Sequence, residues 1–279
     1  MLDNTVKTKS DLSTLTIPFL VEIPRMVDED DKFRKFRFRN DNDKSFTKIF
    51  VKQGSRDMMN EAFRVLRTNV DLMIDKSSPS HVIMLTSFNP NAGKTFTIMN
   101  MAASMALKGA KVLLVDLDLR KATLSKALSV NHTGVAAYLN GKTEDYHEHI
   151  ETLDNGLSIL PVGSLPPNPA ELLLTDRFRN MIAELRKQYD YIFLDCPPVD
   201  IVADASIVAE VVDMTIFVMR ANLMDKRFLP TVEELYKSGK YNHMAMILNG
   251  VDVYHKKYGY GRYGYGYGYG YGYGYGNNS

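Results

Sequence analysis

The sequence predicts an α/β fold built on a doubly wound, mostly parallel sheet, and three observations predict it. Short, almost continuously apolar runs recur through residues 55–253, as expected of strands covered on both faces. Helical patterns separate them, and strand–helix alternation is the mark of parallel pairing. The polar residues able to do chemistry follow the apolar runs, where such sheets bind ligands.

The first strand of this core is expected at His81–Ser87, around Val82-Ile83-Met84-Leu85. A helix is expected at Thr95–Lys108, then strands at Lys111–Asp116 and Leu157–Val162. A long helix over Ala170–Gln188 leads to a strand at Tyr191–Asp195. Strands at Met214–Met219 and Met244–Leu248, with a helix at Phe228–Ser238 between them, complete the core.

Composition narrows the function classes. Of 279 residues, 34 are Lys or Arg and 33 Asp or Glu, a net charge of +1. No global field favours nucleic acid, and no nucleic-acid partner is expected. The single cysteine, Cys196, excludes a disulfide framework and a cysteine-rich zinc site. No stretch approaches the ~18 consecutive apolar residues of a membrane span. Met1–Ser10 lacks the apolar core of a signal peptide, so the chain as given is expected to be soluble.

Three zones differ in composition. Residues 1–54 include Asp28-Glu29-Asp30-Asp31 followed by Lys32, Arg34, Lys35, Arg37 and Arg39. Two readings stand for this run: a solvated arm, or a basic stripe against anionic lipid headgroups. Residues 55–253 form the α/β domain. Residues 254–279 are a Tyr-Gly repeat ending Asn277-Asn278-Ser279, and alternate glycine makes a flexible tail the expectation.

The strand His81–Ser87 runs into Phe88-Asn89-Pro90-Asn91-Ala92-Gly93-Lys94-Thr95 and then a helix. Strand, loop, Gly-Lys-Thr and helix is the setting of a P-loop. Amides from Asn91, Ala92, Gly93, Lys94, Thr95 and Phe96 are expected to face phosphate oxygens at the helix N-terminus. Lys94 is expected on the β- and γ-phosphates and the Thr95 hydroxyl on magnesium. The strict pattern places glycine where this chain has Phe88.

Two further strand ends strengthen the reading. Val112-Leu113-Leu114-Val115 delivers Asp116-Leu117-Asp118-Leu119-Arg120, two carboxylates expected on one side. Tyr191-Ile192-Phe193-Leu194 ends in Asp195-Cys196-Pro197-Pro198, and an aspartate after an apolar strand is a usual magnesium partner in P-loop enzymes. The three ends carry the side chains that Mg·ATP needs. Lys94, Asp116, Asp118 and Asp195 are the catalytic candidates; of Asp116 and Asp118 one can orient magnesium or accept a proton and the other can hold the metal's water shell, with Thr95 and Asp195 toward Mg2+. Asn249-Gly250 reads by itself as a turn dipeptide.

Together these motifs resemble the bacterial tyrosine kinases of capsule and exopolysaccharide systems. Gly93-Lys94-Thr95 is similar to that family's Walker A, Asp116 to Arg120 to its Walker A′, and Asp195-Cys196-Pro197-Pro198 to its Walker B. Pro166-Pro167-Asn168-Pro169-Ala170-Glu171-Leu172-Leu173 is similar to a segment typical of these kinases. The resemblance implies a P-loop fold of the partitioning-ATPase type, ATP and Mg2+ as cofactors, Arg120 beside the nucleotide, and Asn249 on adenine. It also implies a homo-oligomeric ring through a helix bearing Glu61, Arg64 and Arg67. The implied phosphorylation sites are Tyr254, Tyr258, Tyr260, Tyr263, Tyr265, Tyr267, Tyr269, Tyr271, Tyr273 and Tyr275.

Residues Asp3-Asn4-Thr5-Val6-Lys7 and Ile17-Pro18-Phe19-Leu20-Val21-Glu22-Ile23-Pro24 resemble the juncture after the second transmembrane helix in fused members of that family. By that resemblance the chain is a piece of an inner-membrane polysaccharide co-polymerase and works at the cytoplasmic face. Its partners are then its own transmembrane and periplasmic portion and a cognate tyrosine phosphatase. Two other readings remain. One is a partitioning-type ATPase that switches assembly without kinase activity, and the other is an adhesive role for the Tyr-Gly tail.

Overall fold

The computed structural model describes residues 3–25, 48–199 and 204–253. The tail tyrosines and the charged run at 28–39 lie outside the described residues. The strands are β1 (Phe19–Pro24), β2 (His81–Ser87), β3 (Val112–Asp116), β4 (Glu151–Thr152), β5 (Ser158–Leu160), β6 (Tyr191–Asp195), β7 (Met214–Arg220) and β8 (Ala245–Val251). They form one sheet in the order β1-β8-β7-β2-β6-β3-β5-β4. Every pairing is parallel except β4 with β5. The helices are α1 (Met58–Met73), α2 (Lys94–Ala106), α3 (Thr123–Ala127), α4 (Val135–Leu139), α5 (Pro169–Leu173), α6 (Asp176–Leu185), α7 (Asp204–Val208) and α8 (Leu229–Lys237).

Strand alternation builds a core on each face. Along β2, Val82 and Met84 enter one core while Ile83 and Leu85 enter the other. Helices α1 and α2 cover the second face with Phe63, Leu66, Val70, Phe96 and Met99. Helices α6 and α8 cover the first with Phe178, Met181, Ile182, Leu229 and Val232. Each such side chain contributes about 1.5–3 kcal/mol by leaving water, so sandwiching fixes the sheet.

Several elements refine or depart from the sequence expectation. The Ala170–Gln188 helix is two helices, because the Thr175 hydroxyl accepts from the Phe178 amide and starts α6 afresh. Helix α1 begins where Asp57 accepts from the Met59 and Asn60 amides, a strong N-cap. Residues Phe19–Pro24 add an edge strand beside β8, and the Asn69 side chain of α1 donates to Leu20 O at 2.7 Å. Pro24 ends that strand, a position where a missing donor is tolerated.

Sheet order decides where chemistry can happen. Strand β6 lies between β2 and β3, so the loop after β2 and the polar ends of β6 and β3 open side by side. Asp116 and Asp195 are register partners on β3 and β6.

Candidate active site

The loop after β2 wraps the start of α2. Gly93 caps that helix at φ 92°, in the left-handed region, and Asn91 sits at φ 60°. Glycine is required twice over at 93. A Cβ there would lie 2.0 Å from Asn249 Nδ2, besides the cost of that backbone region. Lys94 Nζ lies 3.3 Å from Ser87 Oγ, and Ser87 Oγ donates to Asn89 O at 2.7 Å. Phe88, in the place of the pattern's first glycine, is buried against Phe228 with ring centroids 4.9 Å apart. Core packing thus anchors the loop entrance.

The carboxylates gather beside this loop. Thr95 Oγ1 donates to Asp195 Oδ2 at 2.7 Å. Asp116 Oδ2 accepts from the Ser125 amide at 2.8 Å and the Ser125 hydroxyl at 2.7 Å, and Asp116 Oδ1 accepts from the Asp118 amide at 3.2 Å. Asp118 in turn accepts from the Lys121 amide at 3.1 Å and Thr123 Oγ1 at 3.3 Å. Burial pushes the Asp116 carboxyl well above the ordinary range, and the Asp195 charge adds to the shift. Burial raises Asp195 too, against the pull of the Lys94 ammonium and the Thr95 hydrogen bond. Cys196 is buried, and desolvation raises its thiol further, so it is no nucleophile.

The donor set fits magnesium. Asp195 Oδ1 is buried without a hydrogen-bond partner, an acceptor that a hard cation satisfies. Among the described residues no three His, Cys, Asp or Glu side chains are arranged as a metal cage. Magnesium needs none, because it binds through one or two carboxylates together with water and phosphate oxygens.

Other expected residues take different places. Asn249 lies within β8, so the turn reading fails, and its Nδ2 donates to Ala92 O at 2.9 Å. Arg120 forms an ion pair with buried Asp204 at 3.1 Å. The Phe96 side chain enters the core beside Phe50 and Phe63, which leaves only its backbone for the loop. Glu61 and Arg64 pair with each other on the exposed face of α1. Arg67 turns inward and donates to Ser104 O at 2.7 Å. Sequence reasoning missed Ser125, Asp204 and Arg220. Arg220 carried a signal, being a cation that closes an apolar strand, as Asp116 and Asp195 close theirs.

The fold and the site define a P-loop enzyme with buried carboxylates beside the loop. A family model described as "AAA domain" matches residues 80–243. The tyrosine-protein kinase CpsD of Streptococcus pneumoniae serotype 4 is 36% identical over 201 residues, covering 71% of this chain and 87% of that protein. The tyrosine-protein kinase wzc of Salmonella typhimurium is 33% identical over 211 residues, covering 74% of this chain but 29% of that protein. The kinase domain of Escherichia coli tyrosine kinase ETK superposes with a TM-score of 0.76 at 29% identity, covering 94% of this chain and 100% of that one. The chain belongs to the bacterial tyrosine kinase family of P-loop proteins and is a tyrosine kinase catalytic domain. No described helix is long and apolar enough to cross a membrane.

Proposed function

We propose that the chain transfers the γ-phosphoryl group of ATP to tyrosines of its own 254–279 segment, presented by a neighbouring subunit. The observation that carries this reading is the meeting of Lys94, Thr95, Asp116, Asp118 and Asp195 at three adjacent strand ends. Phosphoryl transfer needs in-line positioning and neutralised charge more than covalent help.

In this reading the amides of Asn91 to Phe96 and the Lys94 ammonium hold the phosphates. Thr95, Asp118 and Asp195 would hold a magnesium ion, which neutralises phosphate charge when bound. Asp116 takes the phenol proton, and the acceptor oxygen then bonds to phosphorus as the ADP oxygen leaves. A phenol near pKa ~10 needs such a base at neutral pH. The ten tyrosines from Tyr254 to Tyr275 supply a concentrated acceptor. Residues 1–54 are then a juxtamembrane segment, 55–253 the kinase and 254–279 the substrate. Phosphorylation would govern ring assembly and, at the inner face of the membrane, polysaccharide synthesis or export, with a cognate phosphatase as the opposing partner.

Incubating purified chain with Mg·ATP and mapping phosphotyrosine by mass spectrometry tests the reading. Phosphate on tail tyrosines supports it. ATP hydrolysis without phosphotyrosine would leave the assembly-ATPase reading in its place.

A further inference from the structure

A carbonyl oxygen is a handle on the amide next to it. In a trans peptide the C=O of one residue and the N–H of the next point in opposite directions, and the described residues contain no cis peptide. Whatever holds the Asn91 carbonyl therefore aims the Ala92 N–H. Whatever holds the Ala92 carbonyl aims the Gly93 N–H.

Both carbonyls are held from outside the loop. Arg220 Nη1 donates to Asn91 O at 2.8 Å, and Asn249 Nδ2 donates to Ala92 O at 2.9 Å. The two donors are neighbours in their own right. Arg220 closes β7, Asn249 is its register partner on β8, and the Ala221 amide donates to Asn249 O at 2.9 Å. A rigid sheet edge thus grips two successive peptide planes, between two left-handed residues at φ 60° and 92°. Asn takes left-handed backbone more readily than other non-glycine residues, and the two bonds hold the loop between these two turns.

We propose that Arg220, together with Asn249, is a positioning residue that presets the phosphate cup of the loop. The pair turns two consecutive carbonyls toward the β7–β8 edge and so aims two consecutive amides at the phosphates. Asn249 acts through the loop backbone, a role different from the adenine contact expected of it. The inference rests on the nucleotide reading of the loop.

The test compares Arg220→Gln, Arg220→Lys and Asn249→Asp with wild type, using fluorescent ATP and ADP analogues, steady-state kinetics and thermal melting. Arg220→Gln should weaken ATP and ADP alike by about tenfold, one charged hydrogen bond's worth. KM for ATP should rise while kcat stays within about twofold and Tm holds within about 2 °C, because the lost bond preorganises binding and not the core. Arg220→Lys should recover part of the affinity. Asn249→Asp, which sets an oxygen against Ala92 O, should also weaken both nucleotides and carries the test should Arg220→Gln fail to fold.

Unchanged affinities would overturn the proposal, as would a loss confined to ATP, which marks direct charge on the γ-phosphate. An equal loss in Arg220→Lys and Arg220→Gln with a matching drop in Tm would reduce Arg220 to a structural residue. Wild-type protein that binds neither nucleotide overturns the nucleotide reading and this one together, whereas nucleotide binding indifferent to Arg220→Gln removes this one alone.

Discussion

Ser125 grips Asp116 with two donors on one oxygen, its amide at 2.8 Å and its hydroxyl at 2.7 Å. The same hydroxyl accepts from the Val162 amide at 3.0 Å, so one side chain links the tip of β3 to the segment after β5. Ser125→Ala strands the Val162 N–H in a buried site and strips a donor from a buried carboxylate. A buried group left unsatisfied costs about 1–3 kcal/mol. Chemical denaturation should show that loss, and a smaller one when Asp116→Asn is already present, since the two residues share a bond.

Thr95 and Asp195 hold each other at 2.7 Å, and both are proposed magnesium partners. Thr95→Ala should lower kcat/KM about 100-fold, in the range of a lost electrostatic stabiliser, while Thr95→Ser keeps most activity. Chelation of magnesium should abolish phosphotyrosine formation in the wild type. Full turnover by Thr95→Ala would remove the hydroxyl from the chemistry.

The carboxyl-end residues were legible because they contradict their surroundings. A charged group closing an apolar strand has no packing reason to be there, and Asp116 and Asp195 stood out in this way, while Lys94 stood out through the Gly-Lys-Thr that opens a helix. β2 and β6 were likewise readable to the residue, since burial on both faces leaves an unbroken apolar run. Strand β1 was harder, because six residues between Pro18 and Arg25 carry no period that separates an edge strand from a loop. Ser125 was invisible for another reason. Its partner lies nine residues away across a turn, and a serine in a short helix has no sequence mark until the fold closes.

Arg67 stands apart from the other two α1 residues proposed for a subunit interface. Its guanidinium reaches Ser104 O and Ser104 Oγ, pinning α1 to α2, whereas Glu61 and Arg64 face solvent as a pair. Charged hydrogen bonds contribute about 1.5–3 kcal/mol, so Arg67→Ala should lower Tm by several degrees even at high dilution. Glu61→Ala with Arg64→Ala should leave Tm nearly unchanged and shift the oligomer distribution by light scattering. Equal melting of both variants would contradict the division.

The N-terminal segment is tied to the turn before α8 by Asp11, whose carboxylate meets Lys226 Nζ at 2.7 Å and the Lys7 amide at 2.8 Å. The Lys226 hydrogen bond, then the Lys7 amide, lower the Asp11 pKa to about 2. A carboxyl depressed in the folded state stabilises it above the unfolded pKa, and the gain is lost as pH falls through the folded value. The pair is partly exposed, so its contribution is about 0.5–1 kcal/mol. Asp11→Asn should melt about 2 °C below wild type at pH 7, and the two curves should converge as pH falls from about 4 toward 2.

Removing residues 254–279 tests where the phosphoryl group goes. The proposed catalytic side chains, from Lys94 to Asp195, all lie before this segment, and the last described strand ends at Val251. Truncation should therefore leave ATP hydrolysis intact and abolish autophosphorylation. Mixing truncated, active chain with full-length Lys94→Met chain then isolates transfer between subunits, because only the second carries the tail tyrosines and only the first carries Lys94. Each transferred phosphate adds about −1.5 to −2 charges, so phosphorylated tails repel one another. Mass spectrometry should find tail phosphate on the Lys94→Met chain, and light scattering should find smaller oligomers afterwards. Tail phosphate on full-length wild-type chain alone, with none on the Lys94→Met chain in the mixture, would place the reaction within a single subunit.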